Sequence, residues 1–582
     1  MLKKIRILEY GAVQSTFFHR VLAIVSAGFV GLMTAFSIYG WEVINPTNVT
    51  WLLLEGDPFQ HFIGWDAFRH DVWRWPLGAI PQMGTQVDSS IVYTDSIPLL
   101  AIPFKLISWA LPENFQYQGL VMAFNMSLNA VAACWVALKV GARPLVSFFF
   151  SLLVLLAPIV LMRGLGTHGH EALTAHWLII FSLGVALTFR NNNRAYLVWF
   201  VLLFMSVVVH FYIFFMVGAL WFFWWMKSIF DSYKKDGPKA LCARLALGSS
   251  FVIFIFFVMW SVGYFHYGLD VEKASGYGFF SAEGLTFLNP LSHAWFFGND
   301  TLQSASRVLP GWQSPIKGQY EGQAYAGLGV MLFVLVSLSV LLRYFSAKEI
   351  RYLINNSWWV VAPALALFIF AMGDRWVIGK LVWEVPYPAF FDYFAQYLRS
   401  SGRLVWPLLY LIVVLSLLLC VEKLRSKFLS LLLLFCVWVQ WEDVRPLNDF
   451  ITDRLESNYR STQEGAPYPA IENKILVDMI KRKEMIYYLP GNNMGELKPY
   501  LWLSVRYGKP INVAYFARAD GGALVQATKE EVNRVKNGII DSKGVYILTE
   551  SNVYDSACQY KVISCLELMD GNFMAYKNID LY

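Results

Sequence analysis

The stretch "EGDPFQHFIGWDAFRHD", residues 55 to 71, gathers acids, histidines and arginine just beyond the first long apolar run of this 582-residue chain. A carboxylate at Glu55 or Asp57 can take a proton or complete a helix end. Pro58 suits the first helical position, so Asp57 is a candidate helix cap. Three more clusters stand out. "GTHGHEALTAHW" at 166 to 177 sets His168, His170 and Glu171 in a short loop and His176 at the top of the next apolar run. Such a cluster can bind a divalent metal, yet its spacings match no strong metal motif, and hydrogen bonding or plain loop polarity explains it as well. His210 breaks "VVVHFYIFF", where a histidine satisfied at a tight turn is the structural explanation. Glu321 in "GQYEGQAYAGLG" precedes another apolar run; it either orients hydroxyl groups or complements a helix dipole. Arg399 and Arg403 in "RSSGR" would share a helical face, but Ser400, Ser401 and Gly402 also suit a turn. Snorkelling before the next span accounts for them structurally.

The elements that must position these residues are membrane helices. With 57% hydrophobic, 17% aromatic and 15% charged residues, the composition is far from that of a soluble domain. Val21 to Tyr39 follows a basic start and is too long for a signal-peptide core, so it reads as a retained anchor with a cytoplasmic N-terminus. Further apolar runs lie near 119–138, 145–162, 173–189, 195–209, 211–226, 245–264, 325–342, 357–372, 404–420 and 428–441, for about eleven spans in all. The stretch 96–111 is short and carries Pro98, Pro103 and Lys105, which argues against a twelfth. With it excluded, the basic loops at 139–143, 190–194, 227–244, 343–351 and 423–427 all fall inside. The net charge of +6 thus reports orientation and gives no reason to expect a nucleic-acid partner.

The predicted fold is mainly α: a polytopic helical bundle over 1–441, N-terminus in and C-terminus out, with a first outer loop at 40–118 and an α/β domain over 442–582. In that last domain "MIYYLP", "GVYILT" and "NFMAYK" read as strands, and "AIENKILVDMIKRK" and "KEEVNRVKNG" as helices. Cys134, Cys242, Cys420 and Cys436 read as packing residues, while Cys558 and Cys565 are either bridged or buried thiols. In the outer loop Phe62, Trp65, Phe68, Val72 and Trp75 form an apolar stripe, opposite Asp66, His70, Asp71 and Arg74, as in an interfacial amphipathic helix. The segment 96–111 gives a second helix along the membrane surface.

An acid shortly after the first span, in a large outer loop with two juxtamembrane helices, resembles the glycosyltransferase C superfamily, whose members take a sugar from a polyprenyl-phosphate carrier. The wording "GDPFQHFIGWDAFRHDVWRWPLG", "SSIVYTDSIPLLAIPFKL", "GQYEGQAYAGLGV" and "RSSGRLVWP" is also similar to a bacterial family of polytopic proteins with a domain of unknown function, over most of the first 410 residues. The superfamily resemblance implies Asp57 as the catalytic carboxylate, with Glu55 as the alternate. A carboxylate base suffices for such a transfer, because the phosphate leaves as a stabilised anion. The departing phosphate would want cationic forks from Arg399, Arg403, Arg163 or Lys105. Gln60, His170, Glu171, His210 and Glu321 complete the expected substrate-binding set. The function expected is sugar transfer from a polyprenyl-phosphate donor to a glycan, such as O-antigen, or a protein acceptor. Its place would be the outer face of a bacterial inner membrane, with no certain cofactor and a divalent metal admitted. Two rival readings are a lipid-linked sugar transporter and a non-catalytic cell-envelope assembly protein. The first would ordinarily put ionisable groups within its spans, where this chain has almost none; the second leaves the outer acidic and basic motifs unexplained.

Overall fold

The computed structural model describes residues 13–189, 191–267, 276–290, 304–388, 395–465, 467–490, 494–518, 521–568 and 571–577. Every apolar run read from the sequence falls on a helix, but length separates them. Among the described residues six helices are long and apolar enough to cross a membrane: Phe17–Ile44, Gln118–Lys139, Glu171–Thr188, Phe211–Val262, Ala347–Ala371 and Ser401–Lys423. Pro144–Leu155, Asn193–Val209 and Leu328–Tyr344 are apolar but shorter, and Ser426–Asp443 carries more charge. Six helices meet both criteria among the described residues, against the about eleven spans expected from hydropathy. Two of the expected spans fall within Phe211–Val262, 52 residues in which two helices meet at a kink at Gly237, whose φ of 72° and ψ of −164° are not helical. The 96–111 segment forms the helix Pro98–Leu106, whose nine residues rise only about 14 Å.

The chain divides into two compact units, each discontinuous in sequence. The first comprises 1–45, 117–255 and 273–455. Here Val13–Ile44 packs along Gln118–Lys139, and the approach is close: a Cβ on Gly31 would stand 2.6 Å from the Met126 carbonyl oxygen, and one on Gly119 would stand 2.1 Å from that of Val43. Small residues let membrane helices pack backbone to backbone. Asp443, fully buried, accepts from Tyr325 Oη at 2.8 Å and from the Leu328 backbone amide at 2.9 Å, satisfying an open donor at the start of the helix Leu328–Tyr344. A short hairpin, β1 (Arg375–Ile378) with β2 (Leu381–Glu384), was not anticipated from the sequence.

The second unit comprises 46–116, 256–272 and 456–582. Its sheet has β3 (Met485–Leu489), β4 (Gly544–Leu548), β5 (Ile563–Glu567) and β6 (Phe573–Lys577) in the order β3-β4-β6-β5. β3 and β4 are parallel and the remaining pairs antiparallel. Three strands and the flanking helices Lys474–Arg482 and Gly521–Lys536 match the sequence reading; β5 escaped it because "ISCLE" lacks a clear alternation. Cys558 and Cys565 are bridged. Of the four remaining cysteines Cys134, Cys420 and Cys436 are buried, whereas Cys242, expected as a packing residue, is exposed.

Candidate functional site

The acidic segment lies in the second unit and begins the helix Asp57–His70. The helix starts one residue earlier than expected: Gly56 holds the cap position, no side chain caps it, and Asp57 sits in the first turn with Pro58 behind it. The capping role expected of Asp57 is thus not the one it has. Nor does this helix lie half-exposed on a surface. Phe59 through Trp65 are buried without interruption, as are Phe68 and Arg69, because neighbours cover it on most sides. Trp65 Nε1 donates to the Phe115 carbonyl at 3.0 Å, Phe62 meets Trp502 at 6.0 Å between centroids, and the Arg69 guanidinium holds the carbonyls of Glu113, Leu111 and Pro112 at 3.1, 3.2 and 2.7 Å. Val72 and Trp75 fall beyond the helix end and are exposed.

Glu55 is buried, 2% exposed, and accepts from Asn458 Nδ2 at 2.7 Å. Its backbone carbonyl accepts from Lys498 Nζ at 2.6 Å. Asp57, two residues on, is half-buried. Lys498 feels both carboxylates: burial lowers its pKa, and the charges of Glu55 and Asp57 push it back up. Gln60 is buried, with its amide 3.4 Å from the Tyr93 carbonyl. His61 stands 3.9 Å from Asp95. Lys105, expected as a phosphate ligand, is buried with its ammonium 4.0 Å above the Phe68 ring and 4.7 Å above Trp73; burial brings its pKa down to about 8.

The other expected residues belong to the first unit. Three of them converge in a buried ion cluster. Arg163 Nη1 donates to Glu321 Oε2 at 2.6 Å, and its Nη2 donates to the Glu321 carbonyl. Arg403 forks onto the same carboxylate, Nε to Oε2 and Nη2 to Oε1, both at 2.9 Å. All three are under a tenth exposed. Burial alone would raise the Glu321 carboxyl, but Arg403 and Arg163 outweigh it and hold the group well below the usual carboxylate range. Glu321 lies in the short helix Lys317–Gly322, ahead of Leu328–Tyr344 and not at its start, so its role is to bind arginines and not to complement that dipole. "RSSGR" turns as its serines and glycine suggested: Arg403 points inward beside Tyr212, 5.0 Å from that ring, while Arg399 is exposed, 5.9 Å from the Phe280 ring. The two therefore do not share a face.

The histidine loop is buried instead of outwardly polar. Glu171 is fully buried, and its carbonyl accepts from Asn125 Nδ2 at 3.3 Å and Thr174 Oγ1 at 2.7 Å. His168 bonds the Met162 carbonyl, His170 is half-buried, and His176 Nδ1 pairs with Tyr410 Oη at 2.6 Å. Among the described residues no three His, Cys, Asp or Glu side chains come together to hold a metal ion. His210 follows the helix Asn193–Val209 in extended conformation and accepts from the Tyr212 amide at 3.1 Å, a satisfied turn histidine.

Two contributors went unnoticed in the sequence. Asn458 and Lys498 stand 403 and 443 positions from Glu55; the lone lysine in "GELKPYLWL" was the signal available, with no spacing to tie it to an acid.

A search of curated proteins finds no match. Two solved structures are similar over the whole chain. The archaeal oligosaccharyltransferase AglB of Archaeoglobus fulgidus, in complex with an inhibitory peptide and a dolichol-phosphate, is 10% identical with a TM-score of 0.43, covering 98% of this chain and 75% of that one. The oligosaccharyltransferase of the same organism, tethered to an acceptor peptide by a disulfide bond, is 11% identical with a TM-score of 0.43, covering 95% and 74%. Residues 28–445 match the family described as Domain of unknown function (DUF6311), and residues 476–576 match the DUF6311 C-terminal domain. With more than two thirds of its length accounted for by the first match alone, the chain belongs to the DUF6311 family.

Proposed function

We propose that this protein is a membrane glycosyltransferase that moves a monosaccharide from a polyprenyl-phosphate carrier to an extracytoplasmic acceptor, with Asp57 as general base. The observation that carries the proposal is the contrast in burial inside "EGD": Glu55 is buried, whereas Asp57 is half-buried on the first turn of a helix most of whose residues are packed. A base must reach its substrate yet be held in place, and only a carboxylate on a rigid element with an open side meets both needs. Glu55, with its side chain and carbonyl both engaged, acts as support. Among the cations of the first unit expected to meet the carrier phosphate, Arg399 is the exposed one, while Arg163 and Arg403 already share Glu321; in the second unit Lys105 lies under aromatic rings. A surface glycan such as O-antigen is the acceptor, and the working face is periplasmic on a bacterial inner membrane.

The test is transfer from a synthetic polyprenyl-phosphate sugar by the purified full chain. Asp57→Asn keeps shape and removes the proton acceptor, so turnover should fall by roughly 100-fold to 10,000-fold. Glu55→Gln should cost much less. Near-normal turnover by Asp57→Asn rejects the assignment. Arg399→Ala should weaken donor binding; unchanged donor affinity removes Arg399 from the site.

A further inference from the structure

We infer that Lys498 is a positioning residue for Asp57, so that the C-terminal region completes the acidic centre. The helix Met494–Arg506 carries Lys498, within the stretch that matches the DUF6311 C-terminal domain, and belongs to the same compact unit as residues 46–116. The lysine's ammonium donates to the backbone oxygen of Glu55 at 2.6 Å. That oxygen lies one residue before Gly56, the cap of the Asp57–His70 helix, so the bond fixes the chain where it enters the helix. Asn458 clamps the Glu55 carboxylate from another element at 2.7 Å. The aliphatic stem of Lys498 approaches Phe59, with the ammonium 5.8 Å from the ring centre. One cation thus holds the backbone of the acidic segment and lies within electrostatic reach of two carboxylates, those of Glu55 and Asp57. Packing alone would not require the ammonium to bond the chain at Glu55. Its charge favours the ionised form of Asp57, the form a base requires.

The inference rests on the reading of Asp57 as the base, and two measurements keep their failures apart. The first needs no turnover: carbodiimide labelling of Asp57 in the full chain, followed by mass spectrometry across a pH series. Lys498→Met removes the charge and should move the labelling midpoint of Asp57 upward, because a carboxylate that loses a nearby cation holds its proton to higher pH. Lys498→Arg should restore the midpoint. An unchanged midpoint in Lys498→Met overturns the inference whatever Asp57 does. The second is transfer. Lys498→Met should lower kcat by about 10-fold to 100-fold with little change in donor KM, and Lys498→Arg should recover most of it. Equal loss in both variants, together with lowered thermal stability, would make the lysine merely structural and overturn the inference. If Asp57→Asn transfers normally while the midpoint still moves, the electrostatic role of Lys498 stands and the base assignment falls.

Discussion

Each compact unit holds a carboxylate beside basic groups, and the two are built for opposite ends. In the first unit Glu321 is closed off: two guanidinium groups occupy both of its oxygens, and its own carbonyl is taken as well. In the second, Asp57 is half-buried, while Lys498 is anchored to the backbone of the neighbouring Glu55. A carboxylate whose oxygens are all engaged by guanidinium groups is closed to a substrate, whereas one that solvent reaches on a rigid helix is accessible to it. By residue type alone the two were equal candidates for chemistry. Their surroundings separate them.

The separation breaks first, and most severely, at Glu321. Glu321→Gln should leave two arginines buried without a counter-charge, at a cost of roughly 3–5 kcal/mol, read as a lower thermal midpoint of the full chain in detergent. The pH dependence has a fixed sign. Glu321 is held below its ordinary pKa in the folded state, so its contribution is complete above the unfolded value of about 4.3 and is lost as pH falls through the folded one. The gap between wild type and Glu321→Gln should therefore be constant from pH 8 to 5 and close only in stronger acid. A gap that already shrinks between pH 7 and 5 would contradict the closed cluster.

How far was this legible in the residues themselves? Hydrophobic periodicity located every apolar helix because it is a local property, and for the same reason it located three of the four strands of the second unit's sheet, though neither strand of the β1–β2 hairpin. It did not resolve length, since helices of 17 residues or fewer such as Pro144–Leu155 and Asn193–Val209 carry the same apolar character as longer ones. Covering is equally invisible to periodicity: the Asp57–His70 helix has an amphipathic stripe, yet Arg69 is buried and holds the carbonyls of Glu113, Leu111 and Pro112. The ion cluster could not be read at all, because Arg163 and Glu321 are 158 positions apart and Glu321 and Arg403 are 82. Charges that look like separate ligands for an anion were ligands for one another.

Asp66 supplies an intermediate case in the second unit. Burial raises it to about 6, against the pull of His70 and Arg69. A carboxyl raised in the folded state destabilises as pH climbs from the unfolded value of about 4 through the folded value, and the penalty is then constant. Asp66→Asn should consequently gain roughly 1–3 kcal/mol at pH 7.5 and nothing at pH 4. Equal midpoints for the two proteins at both pH values would show that Asp66 is solvated after all.

The smallest effect on stability is expected where the effect on chemistry is largest. Asp57 is in the first helical turn and is not the cap residue, which is Gly56, so Asp57→Asn keeps the shape and gives up charge: its complement to the helix dipole, about 0.3–1 kcal/mol, and its attraction to Lys498. Some of even that is offset, because the change also relieves the repulsion between Asp57 and buried Glu55. A thermal midpoint within a degree or two of wild type, alongside lost transfer, is the signature of a group kept for reaction and not for folding. Glu321→Gln should show the reverse weighting, with the midpoint falling first and turnover following it. If Asp57→Asn instead lowers the midpoint as far as Glu321→Gln does, Asp57 is a structural anchor like Glu321, and the base must be sought elsewhere on the same face.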